Sequence, residues 1–306
     1  MASKHGKVRS FLEYFVFRVV LGLIGIFPVS ISFRIGEFLG ELCYYIFSRL
    51  RKTAFRNLEL ALPETSQSER EKIVKGVFKS LGRQLGLISH LSKITLGEAS
   101  KWIEIVGKEH FYHARLNGRG ILFFTGHFGG WEICSFLPSL FGYSINIVVR
   151  RIDNPLIEEY VDKCRTRFGA VTLDKKQSAR KMFKVLQDGE ILGILVDLNV
   201  QEKEGVFVDF FGIPACTTTA PAKLALKTNA ALIPAFVIWD ESKRKYTVYI
   251  EPEVRSNVAH SSEEIIIDLT QEITKKIEEY ARSYPEQWLW IHKRWNTRPK
   301  GSPSIY

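Results

Sequence analysis

Gly120-Ile121-Leu122-Phe123-Phe124-Thr125-Gly126-His127-Phe128-Gly129-Gly130-Trp131-Glu132 is the stretch that decides how this chain is read. Its first half is a short unbroken apolar run, the pattern of a strand buried on both faces. The run feeds directly into a glycine-flanked histidine, so His127 stands where a strand ends and a loop begins. Strand ends in α/β proteins are where chemistry is usually placed. A histidine with a carboxylate five positions on, Glu132, is a minimal kit for general-base work. The imidazole takes a proton near neutral pH, and an acid can hold the ring and offset the charge it gains. A core histidine beside a solvated helix glutamate would show the same two letters. The three glycines around the pair favour a site, because they allow close backbone approach and unusual dihedrals.

Outward from this stretch the period switches between strand and helix. Trp102–Val106, Ile121–Thr125, Ile145–Val149, Ile191–Val196, Leu232–Ile238 and Tyr246–Ile250 read as strands. Ser66-x-x-Glu69 is a capping box that opens a helix carrying Ile73, Val77, Leu81, Leu85 and Ile88 on one face. Asn154-Pro155 starts a second helix, with asparagine as cap and proline at its first position. A third runs from about Lys176 to Asp188 and stops at Gly189, and Ser261-x-x-Glu264 opens a fourth. Strands alternating with helices predict an α/β protein with a layered sheet.

Residues 8–61 read as two or three apolar helices, so the chain divides into an N-terminal helical section, 1–62, and an α/β domain, 63–306. In the first section Lys4, Lys7 and Arg9 precede an apolar run from Phe11 to Phe27, closed by Pro28. No small-residue cleavage site follows. Glu13 and Arg18 interrupt the run, which falls short of the ~20 clean residues that a simple span needs. The pattern predicts an interfacial membrane anchor with Arg18 snorkelling toward headgroups; core packing is the alternative. Basic residues flank both sides of the section, so loop charge sets no orientation.

The chain has 306 residues, 45% of them hydrophobic, enough for a substantial core and against disorder. Lys+Arg minus Asp+Glu is 43 − 33 = +10, an excess that attracts polyanions: nucleic acid, anionic lipid or an acidic carrier protein. No nucleic-acid module accompanies the basic and aromatic residues near the C-terminus. Cys43, Cys134, Cys164 and Cys216 form no C-x-x-C and read as small apolar fillers in a reducing compartment. G-x-S-x-G, the P-loop pattern and H-E-x-x-H are absent, which removes support for a nucleophile elbow, a nucleotide cradle and a zincin.

A membrane-seeking N-terminus, a basic surface and a His-x-x-x-x-Glu at a strand end suit one chemistry, acyl transfer from a thioester to a lipid hydroxyl. A thioester is already activated, so no Ser or Cys intermediate is needed; positioning and oxyanion stabilisation remain. Here the sequence resembles the late acyltransferases of lipid A biosynthesis, which move lauroyl- or myristoyl-type chains from acyl carrier protein. The resemblance lies in Arg56-Asn57-Leu58-Glu59, Gly126-His127-Phe128…Glu132, Arg150…Asn154-Pro155-Leu156-Ile157, Asp197 at a strand end, and Phe210-Phe211-Gly212 before Thr217-Thr218-Thr219. It closes with Pro285-Glu286-Gln287-Trp288-Leu289-Trp290-Ile291-His292-Lys293-Arg294-Trp295-Asn296-Thr297-Arg298-Pro299.

The resemblance implies a glycerol-phosphate-acyltransferase-like mixed sheet flanked by helices, at the cytoplasmic face of the bacterial inner membrane. It implies His127 as base with Glu132 as its partner, and Arg165 and Asp197 in a supporting charge network. Arg167 competes with Arg165 for that role, and both could merely complement a helix dipole. Arg150 reads as phosphate-binding or solvated. Asn154, Thr217, Thr218 and Arg294 are further candidates for substrate binding, the threonines also as helix caps. His292 reads as structural, and Trp288, Trp290 and Trp295 as core or interface residues. Neither a metal nor a cofactor is expected; acyl carrier protein is the expected donor partner and a membrane glycolipid the acceptor. Two other functions fit parts of the pattern. An acyl-CoA-dependent lysophospholipid or glycerol-phosphate acyltransferase would usually carry an E-G-T-R-like block, which is missing here. A non-catalytic peripheral membrane protein would leave the glycine-flanked pair without a purpose.

Overall fold

The computed structural model describes residues 6–175, 178–258 and 261–306. Four helices lead: α1 (Lys7–Ile24), α2 (Val29–Ile46), α3 (Ser48–Ala61) and α4 (Gln67–Leu91), followed by the single turn α5 (Leu96–Ala99). The α/β part then runs β1 (Ile103–Val106), α6 (Lys108–Leu116), β2 (Ile121–Thr125), β3 (Asn146–Val149), α7 (Pro155–Thr166), β4 (Val171–Asp174), α8 (Ala179–Gln187) and β5 (Ile191–Leu195). A hairpin, β6 (Gly205–Phe210) and β7 (Ile213–Thr218), precedes α9 (Ala220–Thr228), β8 (Ala231–Asp240), β9 (Lys245–Ile250) and α10 (Ser262–Ser283).

The main sheet has seven strands in the order β1-β9-β8-β2-β5-β3-β4. Strands β8, β2, β5, β3 and β4 are mutually parallel, while β9 turns back antiparallel on β8 and β1 runs parallel to β9. The expected mixed sheet flanked by helices is therefore present. Its two faces are read directly from strand alternation. Ile121 and Phe123 of β2 join one core with Ile191, Ile233 and Val237; Leu122 and Phe124 join the other with Leu192, Leu232 and Phe236.

The expected capping boxes form at α4 (Ser66/Glu69) and α10 (Ser261/Glu264). Asn154 caps α7, accepting from the N–H groups of Leu156 and Ile157. The expected start of the third helix, Lys176, lies outside the described residues; from Ala179 onward that helix is α8.

The division at residue 62 belongs to the sequence; in space the helices interlock with the sheet. Phe33 of α2 packs against Trp102, Trp239 and Tyr246, and Leu58 and Ala61 of α3 share a core with Trp288 and Trp290. Asn57, fully buried, donates to the carbonyls of Trp290 and His292. Arg18 is exposed, with its guanidinium 4.4 Å over the Tyr160 ring of α7, a cation–π contact that joins α1 to α7.

Helices α2 and α4 touch backbone to backbone through Gly36, Gly40, Gly82 and Gly86. A Cβ at Gly36 would stand 2.2 Å from the Gly82 carbonyl oxygen, and one at Gly82 2.0 Å from that of Gly36. No side chain lies there to yield, so Gly36→Ala or Gly82→Ala should force the helices apart and cost ~1–3 kcal/mol. Gly22→Ala, where nothing lies within 4 Å of the new carbon, should instead be neutral or slightly stabilising. Thermal or urea unfolding of the three variants measures the contrast.

Candidate active site

Parallel register assembles the centre of the site. Thr125 of β2 stands opposite Leu195 of β5. Two residues beyond each lie His127 and Asp197, so equal advance past the last paired residues brings a ring to a carboxylate. His127 Nδ1 is 2.7 Å from Asp197 Oδ1, and the His127 backbone N–H donates to Asp197 Oδ2 at 2.8 Å. The Trp288 indole N–H, from the C-terminal block, donates to the same Oδ2 at 2.9 Å. Gly126 makes room for this closure: a Cβ there would meet the Phe128 ring at 2.8 Å and Asp197 Oδ2 at 3.1 Å.

Asp197 is 1% exposed. Burial by itself would push its carboxyl pKa up, but the His127 charge and the three hydrogen bonds outweigh that and hold it down at about 2. The carboxylate is thus an ionised acceptor; in the neutral form of the ring the Nδ1 proton points at it and the lone pair is left on Nε2. His127 lines the cavity described below, with the Trp131 ring edge-on to it at 5.2 Å between centroids.

The expected pairing of Glu132 with His127 is corrected here. Glu132 faces Arg165, which donates from Nε to Oε2 at 2.8 Å and from Nη2 to Oε1 at 2.6 Å. This fork uses both carboxylate oxygens, so the acid that orients the imidazole is Asp197. Glu132 is buried and Arg165 partly so, and both line the cavity. Burial would lower the Arg165 pKa, yet the bonds and charge of Glu132 raise it above the usual arginine value. Arg167 has other partners: it donates to the carbonyls of Ser92 and Ile94 beyond α4.

The cavity, about 510 Å³, opens at the C-terminal edge of the parallel strands. β3 and β5 pair over Asn146–Leu192 and Ile147–Gly193 only. The residues that follow on both strands, Val148, Val149, Ile194 and Leu195, line the cavity, together with Phe123, Leu137 and Met182. The wall is thus mainly apolar, with His127, Glu132, Arg165, Arg150, Asn199, Thr218 and His292 as polar points. A crevice beyond strand carboxyl ends is the usual ligand site of an open α/β sheet.

Of the residues expected to bind substrate, Arg150 and Thr218 line the cavity, whereas Asn154, Thr217 and Arg294 do not. Asn154 is buried and joins α7 to α1 through the Ser10 carbonyl and Glu13. Arg294 is 1% exposed and donates to the Cys216 carbonyl and to Thr217 Oγ1, beneath the Phe210 ring. Burial pushes the Arg294 guanidinium down to about 10. The hydrogen bonds they make hold α1, α7, β7 and the C-terminal block together.

Sequence reading did not place Trp288, Trp131 or Asn199. Trp288 lies 91 residues from the aspartate it serves, a distance that no local pattern spans. His292 lines the cavity and accepts from the Asn199 backbone N–H at 3.1 Å, which puts its proton on Nδ1.

A buried histidine–carboxylate pair at the mouth of an apolar strand-end crevice is the equipment of a group-transfer enzyme that handles an apolar substrate. The sequence pattern of the bacterial lipid A biosynthesis acyltransferases matches residues 2–297. The chain belongs to that family, and it is an acyltransferase. It is 31% identical to the lipid A biosynthesis lauroyltransferase of Escherichia coli K12, over 94% of this chain and 92% of the relative. To the palmitoleoyltransferase of the same organism it is 25% identical (91% and 89% covered), and to the myristoyltransferase 24% (89% and 82%). A loose structural likeness links it to the 1-acyl-sn-glycerophosphate acyltransferase of Thermotoga maritima: TM-score 0.40, 12% identity, 84% of this chain and 99% of that chain. At that score the fold assignment rests on the sheet itself.

The depressed Asp197 carboxyl carries a sign. Stability that it supplies is complete above the ordinary aspartate pKa near 4 and is lost as pH falls through about 2. Asp197→Asn should therefore cost about 2 kcal/mol near neutral pH and flatten the fall in stability between pH 4 and 2. Urea unfolding of both proteins across that range measures it.

Proposed function

We propose that this acyltransferase moves a fatty acyl chain from acyl carrier protein to a hydroxyl of a lipid A precursor. The observation that carries the reading is the His127 ring, held through Nδ1 by an ionised Asp197 and facing an apolar cavity. The acceptor hydroxyl loses its proton to His127 Nε2 as its oxygen attacks the thioester carbonyl carbon. The tetrahedral intermediate then expels the thiolate, which takes the same proton back from the imidazolium. Asp197 stabilises the imidazolium and keeps the tautomer correct without itself taking the proton. Glu132 fixes Arg165 at the cavity wall, and the Arg165 N–H groups not engaged by Glu132 serve the negative charge growing on the carbonyl oxygen. The acyl chain lies along the apolar wall, each buried methylene contributing ~0.8 kcal/mol.

Three observations support the partners and the setting. The net charge of +10 suits an acidic carrier protein and an anionic glycolipid. The E. coli relatives are named for lipid A biosynthesis and for lauroyl, palmitoleoyl and myristoyl transfer. Val8, Phe11, Leu12, Phe15, Val16, Val19 and Leu23 of α1 are exposed, as are Phe38, Leu42 and Ile46 of α2. Among the described residues no helix is long and apolar enough to cross a membrane. We therefore read the two helices as an anchor lying in the bilayer surface, at the cytoplasmic face of the inner membrane.

His127→Ala should cut acyl transfer from a loaded carrier by ~10²–10⁴-fold while the protein still folds. Retained turnover would remove the proposed base. Asp197→Asn should lower kcat by a similar factor, because the amide favours the wrong tautomer. A panel of acyl-carrier-protein and acyl-CoA donors read on the same acceptor decides the donor.

A further inference from the structure

A second groove lies away from the catalytic cavity and has the opposite chemistry. It is about 470 Å³ and is lined by Ser48, Arg49, Lys52, Thr53, Arg56, Lys293, Ile305 and Tyr306. Arg49, Lys52 and Arg56 lie three and four residues apart, so they share one face of α3. Like charges at this spacing repel one another along the helix. Among the described residues neither Arg49 nor Lys52 has an ion pair or a side-chain hydrogen bond. Arg56 meets Glu59 at 3.6 Å, both half-exposed, and Lys293 meets no carboxylate, only the Tyr306 ring at 5.2 Å. Three of the four cations thus gather without a protein counter-ion.

The groove is built rather than incidental. Asn57, fully buried on α3, clamps the carbonyls of Trp290 and His292, and so fixes Lys293 beside Arg56. The N-terminus of α3, with its unpaired N–H groups, begins at the same end. Directly before it in the chain come the exposed apolar residues Leu42, Tyr45, Ile46 and Phe47, and Leu50 lies within it. The apolar C-terminal end of α2 therefore runs straight into the cationic groove, the order in which a bilayer presents acyl chains and then phosphates.

We infer that this groove binds the phosphate of an anionic membrane lipid, and so fixes the protein at the bilayer surface. The inference rests on the reading that α1 and α2 meet the membrane. Lys293 follows His292, which lines the catalytic cavity, so a lipid phosphate held here also sets the height of that cavity over the membrane.

The test uses the full chain and flotation with vesicles of phosphatidylcholine alone or with added phosphatidylglycerol. Wild-type protein should float with both, more strongly with the anionic vesicles. The triple variant Arg49→Gln/Lys52→Gln/Lys293→Gln should lose the anionic preference, a fall on the order of a hundredfold in partition at about 1 kcal/mol per charge. It should keep its neutral-vesicle binding. A control variant, Lys108→Gln/Lys181→Gln/Lys227→Gln, removes three exposed cations elsewhere and should lose far less. Equal losses in the two variants would mean diffuse surface charge and overturn the proposal. Unchanged partition with a raised KM for the loaded carrier would assign the groove to the carrier protein instead. Unchanged partition with inorganic phosphate bound only by wild type would assign it to a free anion. Failure of wild type to bind neutral vesicles would strike the membrane reading of α1 and α2, a result separate from the anionic difference.

Discussion

One buried carboxylate organises the centre of this molecule. Asp197 sits two residues past the last paired position of β5 and accepts from a ring nitrogen, a backbone N–H and an indole N–H. An ionised group this deep persists only if its lone pairs are filled by strong donors. The donors come from β2 and from the C-terminal block, so the parallel β2–β5 pairing and the docking of residues 285–299 are both conditions of its charge. The same charge fixes which His127 nitrogen carries the proton. Fold and site therefore meet in one hydrogen-bonded cluster, and whatever disturbs the strand register disturbs the His127 ring.

A second consequence follows from how the sheet ends. Had β3 and β5 stayed paired to their tips, the C-terminal edge would be closed; instead pairing stops after two residues and the freed apolar side chains line a cavity. The fixed pair Glu132–Arg165 stands on its wall, where a low local dielectric strengthens any interaction with developing charge. Nearby Asn154, Thr217 and Arg294 lie off the cavity, and their hydrogen bonds hold α1, β7 and the C-terminal block in place.

The N-terminal helices are tied in by close backbone contact and by ion pairs, Arg83–Glu37 and Lys79–Glu41 between α4 and α2. The four glycines of α2 and α4 remove side chains from the seam, which turns the apolar residues of α1 and of the far side of α2 outward. An exposed apolar face of this extent on a folded protein marks an interaction surface. Its continuity with the cationic face of α3 gives it a direction.

Much of the fold was legible locally. Six strands, two capping boxes and the Asn154-Pro155 helix start each depend on residues within a few positions of one another, and backbone hydrogen bonding makes such signals local. The β6–β7 hairpin escaped because its two-residue turn places Phe211 and Gly212 at φ of 59° and 75°. An aromatic residue stands where asparagine or glycine would announce the turn. It is held there by the Glu278 carboxylate on its N–H and by the Arg282 guanidinium over its ring. In the site, His127 and Glu132 were named from the chain and Arg165 and Asp197 from the family resemblance, yet the pairing differs: Glu132 is nearer in sequence, but Asp197 is nearer in space. The sequence by itself determined which residue types were present and which segments would be strand or helix, since those depend on periodicity and caps. Only the tertiary structure decided which acid holds the histidine, which arginine faces the cavity and which polar residues are sealed inside. Those choices are made by strand register and burial between residues up to 91 positions apart, and no local pattern encodes them.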